Sequence, residues 1–468
     1  MQMTLTDQII RVLLMALLVF TPLARGSVDL WAFSTMEFGI LLVIVVWAVG
    51  QLPTSSRRIV STRLSSNTRH YVLPGVLVFL FVTLVTAQMI HLPSKMVEFA
   101  SPKTYALRSV LTAPGGSLRV MPLSFFPLGT KIELMKWLTL SGLFFFLLNW
   151  APLKEKDRLP HQLIFVLLLV GAFESLYGLF GHFGSVGEGT SGMGTFVNRN
   201  HFAGYLLMVI PVTIGFLFSR EADRSGHFMS WRDRLSSLEG KSILISFAAI
   251  LMILALIFSS SRMGIASLLA SFSLIILLFK NPSEGSRFSK RSAVILGLAV
   301  LWGAWIGLDA VIGRFFYLPE DYTTRKMIWA NTFQIIKDFP LFGSGLGTFT
   351  QVFPMHRSFH IRSLVTHAEN DFLQLVSETG LVGLGLLVIL FALLFYQVAR
   401  GLRLLSQRDP KRYIAIGGLV SILALMFHSL VERNIQVPGN AFLWTLLMAL
   451  VLRMSERVPL TPEVMPEE

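Results

Sequence analysis

The sequence predicts an all-α fold: a polytopic membrane helix bundle of about 12 transmembrane helices, with one large loop on the outer side. Composition is the first reason. Of 468 residues, 53% are hydrophobic and 14% charged, and mean hydropathy is +0.64; soluble domains carry about 25% charged residues. The second reason is a series of apolar runs close to the ~20 residues that cross a bilayer as a helix. The third is the placing of Lys and Arg in alternate loops between those runs.

The runs centre near 9–24, 32–49, 71–91, 133–150, 161–183, 201–219, 242–260, 263–279, 292–308, 380–399, 413–431 and 437–453. The opening stretch has the texture of a signal peptide, but the same texture continues along the whole chain, so it reads as an uncleaved first span. Two runs meet at the turn Ser259 to Gly264 and count as separate spans. Residues 1–190 then form spans one to five. Residues 191–400 form a core containing the outer loop 309–378, and 401–468 hold the last two spans and a cytoplasmic tail.

With the N-terminus inside, the inner loops 50–70, 151–160, 220–241, 280–292 and 400–412 hold 21 Lys and Arg in about 80 residues. The outer segments hold 15 in about 140, as the positive-inside rule requires. The formal net charge of +13 is therefore topological. It is scattered over short loops with no aromatic-interleaved basic domain, which argues against nucleic acid as a partner. The chain has no cysteine, so disulfides, thiolate metal sites and a cysteine nucleophile are excluded.

The unusual polar residues fall on the outer face. Arg262 lies in "FSSSRMGIAS", among small polar residues that leave room and donors for an anion. The plain alternative is an arginine snorkelling to the headgroups. Arg199 and His201 lie in "NRNHFAGY" at the entry to a span, where free helix N–H groups suit phosphate. There the alternative is capping by Asn198 or Asn200. "TTRKMIWANTFQIIKDFPLFGSGLGTF" (323–349) reads as an amphipathic surface helix, capped by Thr323 or Thr324. Arg325 falls in its first turn, and Trp329, Phe333 and Ile336 share a face. Gly343, Gly345 and Gly347 mimic a dinucleotide fingerprint, but no strand precedes them. His356, His360, His367 and Glu369 lack the defined ligand spacing of a zinc site, and Pro354 opposes a helix between the first two, so no metal is expected.

The most concentrated cluster is "THAEND", where His367, Glu369, Asn370 and Asp371 lead into an apolar run. Helix capping would account for one or two of these residues. Arginine offers a fixed fork of donors for phosphate oxygens, and histidine takes a proton near neutral pH. Both on one water-facing side fit transfer from a lipid diphosphate to an alcohol, with no cofactor.

The segments "FVNRNHFAGYLLMVIP", "SSSRMGIASLL", "TTRKMIWANTFQIIKDFPLFGSGLGTF" and "THAENDFLQLVSETGLVGLGLL", in this order over roughly 190–400, resemble the O-antigen ligase family of membrane glycosyltransferases. The resemblance implies about twelve spans and a large periplasmic loop in the bacterial inner membrane. It implies transfer of a glycan from undecaprenyl diphosphate to an acceptor glycolipid or glycan, without a metal. The acceptor is lipid A-core in ligases and a lipid-linked repeat in polymerases. The family's donor-site arginines map onto Arg262 and Arg325, with Arg199 assigned beside them, and its histidine onto His367. His201, Asn370 and Asp371 are supporting residues. Many members have His-Ala-His-Asn where this chain has His367-Ala368-Glu369-Asn370. The base is therefore His367 or Glu369, and His367 is preferred because it is neutral and basic near pH 7. A lipid-linked glycan transporter is the competing class, disfavoured because neither repeated halves nor broken helices are evident.

Overall fold

The computed structural model describes residues 4–52, 71–110, 119–153, 158–184, 192–224, 240–279, 319–360 and 364–456. These form fifteen α-helices and one two-stranded antiparallel sheet. The first helices are α1 (Leu5–Leu23), α2 (Leu30–Gly50) and α3 (Val72–Met89), followed by short α4 (Ser94–Ala100) and α5 (Pro102–Val110). Then come α6 (Pro127–Asn149), α7 (Arg158–Gly184), α8 (Arg199–Arg224), α9 (Gly240–Phe258) and α10 (Arg262–Leu278). The last five are α11 (Pro319–Asp338), α12 (Phe349–His356), α13 (Asp371–Leu404), α14 (Pro410–His428) and α15 (Pro438–Ser455).

Nine of the described helices are long and apolar enough to cross a membrane: α1, α2, α3, α6, α7, α8, α9, α13 and α14. The chain is a multi-pass membrane protein. The expected span at 263–279 is α10, a shorter apolar helix. The one expected at 292–308 lies outside the described residues, and the one at 437–453 is α15, buried on nearly every side.

The bundle is built around α8, whose apolar stretch is buried all round, and α14 packed along it. Gly215 and Gly417 set their crossing: a Cβ on Gly215 would lie 2.5 Å from the Tyr413 carbonyl oxygen. Small residues let helix backbones approach where lipid supplies no hydrophobic drive between helices. The Ser421 hydroxyl then donates to the Met208 carbonyl at 2.6 Å.

Helix α13 has 34 residues, about 51 Å at 1.5 Å per residue, too long for a ~30 Å hydrocarbon layer. Its apolar part matches the expected run at 380–399. Its first nine residues include five buried polar side chains, Asp371, Gln374, Ser377, Glu378 and Thr379. At Gly380 the backbone takes φ 68°, ψ −172° and breaks the helix, so the expectation of no broken helix is corrected.

Helices α11 and α12 form a small subdomain. They pack on each other and on the start of α13 around Ile328, Ile335, Phe339, Phe349, Val352 and Phe353. Three expectations about it are corrected. Helix α11 starts at Pro319, a favoured first helical residue, so Arg325 is in the second turn and Thr323 and Thr324 are not caps. The buried stripe is Ile328, Ile335 and Phe339, one position off the expected face, and Phe333 is exposed. Pro354 sits inside α12 rather than preventing it.

The glycine series is the latch between this subdomain and the bundle. Gly343, Gly345 and Gly347 all have positive φ, and a Cβ on Gly343 would lie 2.2 Å from Glu378 backbone carbon. Their N–H groups wrap the break in α13. Gly347 N–H donates to Glu378 Oε2 at 2.9 Å, Phe349 N–H to Oε1 at 3.1 Å, and Gly345 N–H to the Glu378 carbonyl at 3.0 Å. Gln88 of α3 donates to the same carbonyl at 2.9 Å and accepts from Leu346 N–H at 3.0 Å.

Candidate active site

Asn370 begins the site by capping α13. Its Oδ1 accepts from Leu373 N–H at 3.0 Å, and its Nδ2 donates to the Leu430 carbonyl at 2.6 Å. Asp371 Oδ2 accepts from both Asn434 and Ile435 N–H at 2.8 Å. The segment is thereby tied to the α14–α15 connection, residues 429–437. Ala368 is held at both backbone groups: its N–H donates to Gln374 Oε1 and its carbonyl accepts from Trp329 Nε1, each at 3.0 Å. His367 and Glu369 stand on either side of that clamp. Glu369 has φ +49°, a left-handed conformation uncommon outside glycine.

Charges from four elements meet here. Arg325 of α11 lies 2.6 Å from Glu432 Oε1 and donates to the Val431 carbonyl at 2.6 Å. Asn200, in the first turn of α8, donates to the same Oε1 at 2.7 Å. Arg433 Nε stands 3.7 Å from Glu369 Oε1. Lys136 of α6 is only 8% exposed, pairs with Glu133 at 2.6 Å and lies within electrostatic reach of His367 and Asp371.

Burial pushes His367 down to about 3, and the positive charge of Arg433 adds to the effect. The imidazole is therefore neutral at pH 7. Its buried Nδ1 has no hydrogen-bond partner, and the side chains of Gln374 and Gln436 partly oppose the downward shift. Glu432 is pushed up to about 7 by burial, against the opposing pull of Arg325.

Two further histidines lie behind this layer. His428 Nδ1 accepts from Asn434 Nδ2 at 2.8 Å. That tautomer leaves the Nε2 proton facing Ser261 Oγ at 3.5 Å. Ser261 caps α10 by accepting from Gly264 N–H at 3.2 Å, so Arg262 starts that helix beside the cluster. His201 is buried, its carbonyl accepts from Asn440 Nδ2 at 3.1 Å, and its Nε2 has no hydrogen-bond partner.

The structure thus gathers Arg325, His367, Glu369, Asn370 and Asp371 directly. The start of α8, with Arg199 and His201, joins through Asn200, and Arg262 joins through Ser261 and His428. His356 belongs elsewhere: its Nε2 pairs with Asp338 Oδ2 at 2.9 Å. Among the described residues no three of His, Asp and Glu converge as metal ligands.

Sequence reasoning did not single out Glu432, Arg433, His428 or Lys136. The first two lie in "VERNIQVPGN" (431–440), a polar stretch between the last two apolar runs. Lys136 was hidden inside an apolar run, though a lysine there is itself a signal because an intramembrane charge is costly.

The O-antigen ligase family matches residues 247–388, from the middle of α9 to the middle of α13. That range holds Arg262, Arg325 and His367 to Asp371, and it omits the α8 and α14–α15 contributions. The exopolysaccharide production protein ExoQ of Rhizobium meliloti (strain 1021) is 31% identical over 140 residues, 28% of this chain. The match spans 31% of that relative's length. This multi-pass membrane protein is thus similar, over residues 247–388, to the O-antigen ligase family.

Proposed function

We propose that the chain is a membrane glycosyltransferase. It moves a glycan from undecaprenyl diphosphate to a sugar hydroxyl at the periplasmic face of the bacterial inner membrane, as an O-antigen ligase acting on lipid A-core. The observation that carries this is a neutral, buried imidazole, His367, set among arginines inside the family-matched segment. His367 takes the acceptor hydroxyl proton as the oxygen attacks the anomeric carbon. The bond from that carbon to the diphosphate breaks, and Arg262, Arg325 and Arg199 stabilise the departing charge. Burial first and Arg433 second hold His367 down, so a diphosphate that offsets Arg433 raises its basicity. Glu369 orients the acceptor from the other side of the Ala368 clamp.

A second reading, polymerisation of lipid-linked repeats, is favoured by the likeness to an exopolysaccharide production protein. Both readings share donor, base and arginines, and differ in acceptor. A deletion strain separates them: unligated lipid-linked polymer marks a ligase, and single-repeat glycan a polymerase. The chemistry is tested with purified His367→Ala and Glu369→Ala in nanodiscs, given lipid-linked donor and acceptor. His367→Ala is expected to lose about 10²–10⁴-fold in turnover, the usual contribution of a general base, at unchanged melting temperature. A dead Glu369→Ala beside an active His367→Ala would move the base to Glu369. Two active variants would leave the segment a helix cap alone.

A further inference from the structure

Glu432 has one oxygen crowded with donors and one with none. Oε1 receives Arg325 Nη1 and Asn200 Nδ2 at 2.6 and 2.7 Å, from helices α11 and α8 on either side of it. Oε2, equally buried, has no hydrogen-bond partner. A carboxylate fixed for stability would have both oxygens satisfied, since each buried polar atom left bare is costly. The donors are instead arranged around a point, and one corner of the chain's own carboxylate sits at that point. An arginine fork with a neighbouring amide is a set that a phosphate oxygen fills more completely, with further oxygens left for other donors.

We propose that Glu432 Oε1 occupies the place of a diphosphate oxygen, and that Glu432 gives up Arg325 and Asn200 when the lipid diphosphate binds. This rests on the reading of Arg325 as a donor-site residue. It adds Asn200 as a binding residue and makes Glu432 a competitor of the substrate. The two anions cannot both keep Arg325, because like charges repel strongly where water is sparse. Glu432 leaves the arginine by taking a proton from solvent, and its carboxyl, already pushed up to about 7, is poised to do so.

The ionisable groups acting on Glu432 are Arg325 from α11 and Glu369 from the turn before α13; Arg433 pairs with Glu369, and His428 at the end of α14 lies within electrostatic reach of Arg325. His201 of α8 lies next to His428. Glu369 shares the effect of Glu432, since its charge also favours the protonated form. For one carboxyl titrating near 7 in the empty site and protonated in the complex, affinity falls about tenfold from pH 6 to pH 8.

The test measures binding of undecaprenyl diphosphate, without glycan, to the full-length protein in nanodiscs at pH 6, 7 and 8. Wild type is expected to weaken about tenfold over that range, and Glu432→Gln to bind at pH 8 as tightly as wild type does at pH 6, with the slope gone. Asn200→Ala and Arg325→Ala are expected to weaken binding at every pH. If Glu432→Gln binds more weakly than wild type, or keeps the slope, Glu432 positions Arg325 and does not compete, and the proposal fails while the donor-site reading survives. If Arg325→Ala binds like wild type, the donor-site reading itself fails. Should Glu432→Gln not fold, calorimetry on wild type in two buffers of different ionisation enthalpy decides. Proton uptake on binding near pH 7.5 supports the exchange, and its absence overturns it.

Discussion

Two buried polar clusters lie near the start of α13, one turn or two of that helix apart, and they are built on opposite rules. Around Glu378 both carboxylate oxygens, the backbone carbonyl and both ends of the Gln88 amide are hydrogen-bonded. Around His367 and Glu432 several groups are not: His367 Nδ1, His201 Nε2, Glu432 Oε2 and Arg433 Nε have no hydrogen-bond partner. A buried polar atom without a partner costs about 1–3 kcal/mol, so a fold keeps one only where something else uses it. The first cluster holds the subdomain onto the membrane part. The second holds groups in readiness.

Gln374 joins the two. Its Nε2 donates to Glu378 Oε1 at 3.2 Å, and its Oε1 accepts from Ala368 N–H between His367 and Glu369. The satisfied cluster therefore fixes the backbone from which the unsatisfied one is hung. Reactive geometry needs such support, because side chains displaced by about 1 Å lose much of their effect.

The contrast breaks most visibly at Glu378. Glu378→Ala leaves Gly347 N–H, Phe349 N–H and the Gln374 amide without an acceptor, at about 1–3 kcal/mol for each that water does not reach. Thermal unfolding in detergent should show a large drop in midpoint and in folded yield. His367→Ala, which takes no acceptor from a backbone N–H and removes a ring whose Nδ1 has no partner, should leave both unchanged. A Glu378→Ala protein as stable as wild type would erase the distinction between the clusters.

Gly380 comes next. Its φ 68°, ψ −172° is a conformation other residues adopt only at a cost of about 1–3 kcal/mol, and a Cβ there would lie 2.2 Å from the Leu341 carbonyl oxygen. Gly380→Ala is expected to lower the midpoint and loosen the subdomain, read as faster proteolysis within 319–360. Unaltered proteolysis would mean that the break in α13 does not hold the latch.

How much of this was legible follows from how far each partner lies along the chain. The spans were readable because an apolar run of ~20 residues is a local property. The cap at Asn370 was readable for the same reason, since its bond to Leu373 closes within one turn. Glu432 was not, because Arg325 is more than a hundred residues away and only the packing of α11 over the α14–α15 connection joins them. The glycine series reads locally as the stop of the helix before it, and its second role is not local, as its acceptor Glu378 lies about thirty residues on. The start of α11 was misplaced because Thr323 and Thr324 gave a plausible cap while Pro319 marked the true start.

The smallest effect is expected at Asn370, and it tests the join between the clusters. Its Oδ1 caps α13, and its Nδ2 holds the Leu430 carbonyl of the connection that carries Glu432 and Arg433. Asn370→Asp keeps a capping acceptor, improved by charge at a helix N-terminus, but loses the donor to Leu430. Asn370→Ala loses both and should cost about 1 kcal/mol for the cap alone. If capping is the whole role, Asp should match wild type in stability and turnover while Ala falls modestly in both. If Asn370 also positions the connection, Asp should keep its melting temperature and still lose turnover, because the stretch that carries Arg433 and Glu432 is held less firmly against the His367 segment. Wild-type turnover in Asn370→Asp would reduce the residue to a cap and leave the connection to Asp371, which bonds Ser429, Asn434 and Ile435, and to the Arg433–Glu369 pair.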